Sequence, residues 1–177
     1  MSVENVKYVT LSYVWGSANE DDQSGGDPSP DPLSLPSILP RTIEDTITVT
    51  LKLGYRYLWV DKYCIDQSNP QQFKEEIKRM DLIYRDSVLT IVDATGADPH
   101  GGLPGVRQGS RSPYQPSITL KGIELVSTMR RPEWDIKISP WNTRAWTYQE
   151  SLLSLKKLVF TPEQLYFQCR AGMYCKE

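Results

Sequence analysis

The segment Trp146-Thr147-Tyr148-Gln149-Glu150-Ser151-Leu152-Leu153 carries the most pointed chemistry in the chain. On a helix, Trp146, Glu150 and Leu153 stand at i, i+4 and i+7 and share one face. A carboxylate between Trp and Leu is partly desolvated, so its pKa rises unless a cation or hydrogen-bond donors compensate. Such a glutamate is a reactive acid, or it is one half of a buried pair with an arginine or a cap on a nearby loop. Spacing alone favours the structural use. Asp61 and Asp66 flank Cys64. They suit ribose hydroxyls or a hard cation, but also the ordering of a turn and the cap of the next helix. Cys64 has no histidine near it in sequence and reads as a small buried hydrophobe rather than a nucleophile. Tyr13-Val14-Trp15-Gly16 puts two aromatics on one loop, fit either to stack a planar ring or to roof the core.

Counts remove other chemistry. The only histidine is His100, inside the Gly/Pro-rich stretch GADPHGGLPG. A loop of that kind holds an imidazole poorly to the geometry a Ser-His or Cys-His pair needs. Of the three cysteines, Cys169 and Cys175 have neither a CxxC spacing nor a neighbouring histidine, so a zinc site is poorly supplied. The odd, unpaired set fits a reducing compartment. No G-x-G-x-x-G and no GxxxxGK[ST] follows a strand-like run, so the usual phosphate cradles are missing. A net charge of −2 gives no basic field for nucleic acid. No stretch approaches the ~18 apolar residues of a membrane span. These features together predict a cytoplasmic protein without a prosthetic group.

One glutamate without a histidine can still cleave an N-glycosidic bond whose leaving group is already cationic. Nicotinamide leaves NAD as a neutral molecule and needs no general acid. The developing oxocarbenium ion needs a nearby carboxylate, and the ribose hydroxyls need an acceptor. The composition permits this chemistry without demanding it.

The elements that must position these residues follow from periodicity. Residues 6–13 read as a strand. Residues 17–40 hold five prolines, two glycines, five serines and five acids without a base, and read as a long solvated loop. Pro40, then Thr42 with Asp45 three positions on, resembles a capping box. Ile43, Ile47 and Leu51 form its apolar stripe and Gly54 its C-terminal stop. Tyr57 to Val60 is a buried-type strand with Asp61 at its end. A polar loop then leads to a helix over 71–85, with Phe73, Ile77, Met80 and Tyr84 in register. Val88 to Val92 is a further strand ending at Asp93. Residues 94–140 lack a period, apart from a hairpin over 117–129 turning at Lys121-Gly122. Asn142 or Thr143 caps a helix to about Leu155. Strands at 158–160 and 165–169 close the chain.

This alternation predicts one α/β domain over residues 1–177, with a mostly parallel central sheet and helices on both faces. Sites in such sheets gather at carboxyl ends of strands, near a reversal of strand order. Ser12, Asp61 and Asp93 hold those positions.

Several multi-residue motifs carry a resemblance. They are Tyr8 to Gly16, Leu39 to Ile43, Tyr57 to Gln67, Met80 to Tyr84 and Arg144 to Glu150. In this order the chain closely resembles the HET (heterokaryon incompatibility) domain of filamentous fungi. The resemblance implies a part in non-self recognition, a form of innate immunity that ends in programmed cell death when incompatible cells fuse. HET domains are in turn distantly similar to TIR domains, which have a flavodoxin-like sheet. Some of these hydrolyse NAD through the glutamate of a W-C-x-x-E helix motif. Trp146-Thr147-Tyr148-Gln149-Glu150 has that spacing, with Thr in place of Cys. The resemblance implies NAD as substrate and Glu150 as the catalytic residue. It places Ser12, Tyr13, Trp15 and Gly16 at the nucleotide pocket, with Trp146 beside them and Asp61, Cys64, Asp66 and Gln67 on a loop over it. It casts Arg144 as a brace or a phosphate ligand. The insertions at 17–40 and 94–140 depart from the pattern. TIR kinship equally implies self-association or assembly with other incompatibility proteins, and a non-catalytic adaptor as the alternative.

Overall fold

The computed structural model describes residues 6–16, 35–111, 115–128, 130–169 and 172–176. Residues 17–34 of the predicted 17–40 loop lie outside the described residues. Among the described residues, eight strands and five helices run in the order β1 (Tyr8–Ser12), α1 (Arg41–Lys52), β2 (Tyr57–Trp59), α2 (Asp61–Cys64), α3 (Pro70–Asp86), β3 (Leu89–Asp93), β4 (Ser117–Leu120), β5 (Ile123–Val126), α4 (Pro132–Ile138), α5 (Ala145–Leu153), β6 (Lys156–Phe160), β7 (Leu165–Cys169) and β8 (Gly172–Lys176). A 3-10 turn over Trp141–Thr143 precedes α5.

Six strands form one sheet in the order β2-β1-β3-β6-β7-β8. β1 pairs in parallel with β2 and β3, and β3 with β6. β7 and β8 add on antiparallel. The sheet is therefore α/β and parallel through its first four members. The chain goes from β1 to β2 through α1, then from β2 back past β1 to β3 through α3, so strand order reverses at β1 and a crevice opens at its carboxyl end. Two departures from expectation stand out. The chain adds β8 after the strand expected to be last. The stretch 94–140, expected to hold only a hairpin, also contains α4. That helix starts with Pro132 at its first turn and carries Glu133 and Asp135 there, all favourable at a helix N-terminus.

The parallel strands are apolar because both faces are covered. Every residue of β3 is buried. Successive strand residues point to opposite faces, so Ile91 joins a cluster with Val9, Leu11, Ile43 and Leu103, while Val92 joins one with Trp141, Val159 and Tyr166. Ile43 brings α1 onto the first face. Thr10 and Ser12 project from the second, on the side of α3 and α5.

The helix boundaries have local causes. The Pro40 carbonyl accepts from Ile43 and Glu44 and starts α1. Thr42 and Asp45 do not form the expected capping box. Thr42 instead donates to Asp93, and Asp45 accepts from the Leu103 N–H and from Arg107. Gly54, at φ 81°, takes the left-handed position that ends the helix. The hairpin turns at Lys121 (φ 52°) and Gly122 (φ 81°), both left-handed, as a two-residue turn between twisted strands requires. Ile118, Leu120, Ile123 and Leu125 share one face of it, and all four are exposed.

Candidate functional site

A cleft of about 280 Å³ opens at the carboxyl ends of β1 and β2. Its polar lining is Asp61, Gln67, Arg144 and Glu150. Trp15 and Trp146 stand beside them, and Ile65, Phe73, Ile77 and Met80 complete the wall. β1 delivers the Trp15 loop, Asp61 opens α2 just past β2, and Arg144 stands at the N-cap of α5 with Glu150 six residues on. Helix α3 packs against α5 and closes the apolar side.

Glu150 is only 4% exposed. Ser12, the last residue of β1, donates its hydroxyl proton to Glu150 Oε2. The Trp141 indole donates to Ser12 Oγ at 2.6 Å. That indole bond leaves the serine proton free for the carboxylate, so the order Trp141 to Ser12 to Glu150 is directional. The Tyr84 hydroxyl lies 3.2 Å from the Leu11 carbonyl and also faces Glu150. Burial raises the Glu150 pKa to about 7. The Ser12 bond, Arg144 and Tyr84 favour the ionised form, and the Asp61 carboxylate opposes it, but desolvation prevails.

Asp61 is held from two sides. The Trp15 indole lies 3.1 Å from each carboxylate oxygen, and the Lys62 N–H 2.8 Å from Oδ1. Its pKa is nonetheless raised, again chiefly by burial. The Arg144 guanidinium donates to the Tyr13 carbonyl and braces α5 against the β1 exit. Among the described residues no arginine forms an ion pair with Glu150. The acid thus faces the cleft with Arg144 nearby but engaged elsewhere.

The residues singled out from sequence separate into groups. Glu150, Trp15, Trp146, Asp61 and Gln67 meet at the cleft. Ser12 lies behind Glu150 rather than at the surface of the cleft. Tyr13 is buried in the core on the far side of the sheet. Gly16, at φ 84°, turns the chain beside Asp98 and Pro99. Cys64 lines a different cleft with Ile43, Leu58 and Tyr63. Its sulfur lies 3.4 Å from the Val60 N–H, and desolvation raises its pKa. Asp66 is exposed and accepts from the Ser68 N–H and hydroxyl at 2.9 and 2.6 Å, a local turn. Asp93 likewise organises its own loop, accepting from Thr95 and Gly96. Sequence reading missed Phe73, Ile77 and Met80 as cleft wall. Their stripe was legible, but a stripe does not reveal that its first turns overhang a cavity. Trp141 gave no signal, because its partner lies 129 positions away.

The cleft thus combines two indole surfaces with a buried carboxyl whose pKa is raised to about 7. At about 280 Å³ the cleft lies just below the ~300–1,000 Å³ typical of ligand sites. The sequence model of the family described as Heterokaryon incompatibility protein (HET) matches residues 8–150. No curated protein and no solved structure matches the chain.

Proposed function

The chain belongs to the heterokaryon incompatibility (HET) family, whose matched span of residues 8–150 contains every residue of the cleft, and on that premise we propose that this cleft cleaves NAD to nicotinamide and ADP-ribose. The observation that carries the reading is Glu150: buried, unpaired by arginine, and raised to about 7 at a cleft of about 280 Å³. The nicotinamide ring enters between the aromatic walls of Trp15 and Trp146. The bond from its ring nitrogen to ribose C1′ breaks, and the electron pair leaves with neutral nicotinamide. The Glu150 carboxylate stabilises the cationic sugar. Water adds at C1′ and releases its proton. Arg144 and Asp61 orient the ribose and its phosphate end. Glu150 is the catalytic residue; Ser12 and Trp141 are positioning residues.

A second reading, signalling by self-association without catalysis, draws on the hairpin. One face of it presents Ile118, Leu120, Ile123 and Leu125 to solvent. A two-stranded hairpin with an uncovered apolar face is marginal in water and suits a second copy of the same face.

The test is nicotinamide release from NAD by the purified chain at high concentration, beside Glu150→Gln. Release by wild type alone supports the hydrolase. Equal release by both removes Glu150 from the mechanism. No release from a folded, associated protein moves the function to assembly.

A further inference from the structure

The flank of α5 that carries Tyr148, Ser151 and Leu152 borders a second cleft of about 340 Å³. It joins a third, of about 320 Å³, through the shared residues Asn142, Ser151, Lys157 and Gln168. Lys157 sits at the junction. Its ammonium donates to Ser151 Oγ at 2.7 Å and to the Ser151 carbonyl at 3.1 Å. An ammonium has three donors, so one remains. Among the described residues Lys157 makes no ion pair. A half-buried cation in no ion pair, at the junction of two open clefts with Glu133 as the one acidic residue among the described residues that line them, can take a further anion. Desolvation lowers its pKa, in keeping with its burial.

The surroundings narrow the anion. The Tyr148 ring borders the same cleft and is 74% exposed, a flat surface free to stack. The side-chain amides of Asn142 and Gln168 each offer both a donor and an acceptor. The Asn142 amide nitrogen is taken by the Lys137 carbonyl at 3.1 Å, which leaves its oxygen to accept. Cation, stacking ring and paired amides suit a phosphate, a planar base and the base edge in turn.

We propose that this cleft is a second ligand site, for a nucleoside monophosphate, with its phosphate on Lys157 and its base on Tyr148. The site and the Glu150 cleft are both lined by α5. Ser151, which holds Lys157, directly follows Glu150. The Ser154 hydroxyl ties the Glu150 carbonyl to this side at 2.6 Å. Occupancy therefore bears on the helix that carries the acid, whatever the acid does.

The test is a calorimetric titration of the full chain with AMP, adenosine and inorganic phosphate. AMP binds wild type more tightly than either fragment. Lys157→Met weakens AMP about tenfold or more, the scale of one charge-assisted hydrogen bond. Tyr148→Ala, a change at an exposed side chain that leaves folding intact, weakens AMP but not phosphate. Trp146→Ala, in the other cleft, leaves AMP binding unchanged. No AMP binding to wild type, equal binding by Lys157→Met, loss on Trp146→Ala alone, or phosphate binding as tightly as AMP would each overturn the assignment.

Discussion

Ser12 and Glu150 are joined by a hydrogen bond across 138 positions of sequence, from the tip of the first strand to the last helix. The bond ties the catalytic candidate to the most buried part of the sheet. The Trp141 indole fixes its direction by occupying the serine oxygen. The carboxyl is thereby held at one position while burial keeps its charge in balance near neutrality.

Replacing that carboxylate tests the chemistry. Glu150→Gln keeps the shape and the Ser12 acceptor but removes the charge. Loss of one preorganised electrostatic group costs about 10²–10³ in rate. The expected outcome is that fall in kcat for nicotinamide release, with NAD binding largely kept. A fall of less than tenfold would mean that another group carries the charge.

The pH profile follows from the same acid. In the proposed mechanism the ionised form does the work, and burial raises the pKa to about 7. Below that value Glu150 is protonated and turnover falls; above it turnover reaches a plateau. A kcat profile with its acid limb near pH 7 is expected. A limb near the ordinary glutamate range, around 4.3, would show that the acid is not desolvated during turnover.

Stability carries the opposite sign. An acid whose folded pKa lies above its unfolded value binds its proton more tightly when folded. The folded state is then favoured at low pH and loses that advantage as pH rises from about 4.5 to about 7. The penalty above that window reaches about 3 kcal/mol. Glu150→Gln escapes it. The variant should therefore melt higher than wild type at pH 8 and at nearly the same temperature at pH 5. Equal stabilities at pH 8 would contradict the raised pKa.

Ser12→Ala separates positioning from catalysis. It removes a donor that favours the carboxylate, so the acid limb of the pH profile moves to higher pH. It also leaves the Trp141 indole without its partner, at a cost of about 1–3 kcal/mol in unfolding free energy. Retained turnover at high pH is expected. Loss of turnover at every pH would make Ser12 a participant in the reaction.

Trp146→Ala tests the wall. The side chain is 48% exposed at the cleft mouth, so its removal disturbs stability little. Loss of one stacking surface corresponds to about 1–3 kcal/mol of binding. KM for NAD should rise tenfold or more while kcat changes less.

Local pattern alone determined much of this protein. The strands at Tyr8, Tyr57 and Leu89, helices α1 and α3, and the Lys121-Gly122 hairpin were all legible, because period, turn residues and caps act within a few positions. The glutamate was legible as well, since a Trp and a Leu on its helical face imply desolvation. Tertiary structure decided what those residues meet. Sequence left open whether Glu150 pairs with an arginine; in the fold Arg144 reaches the Tyr13 carbonyl and the acid faces a cleft. Ser12 went behind the acid instead of beside the pocket. Phe73, Ile77 and the buried Met80, legible only as a helical stripe, became the cleft wall. Cys64 and Asp66 turned away from the cleft. The added strand β8 and the antiparallel end of the sheet were likewise not visible in advance. Each outcome depends on partners brought together from distant segments, and no local spacing encodes which of them will arrive.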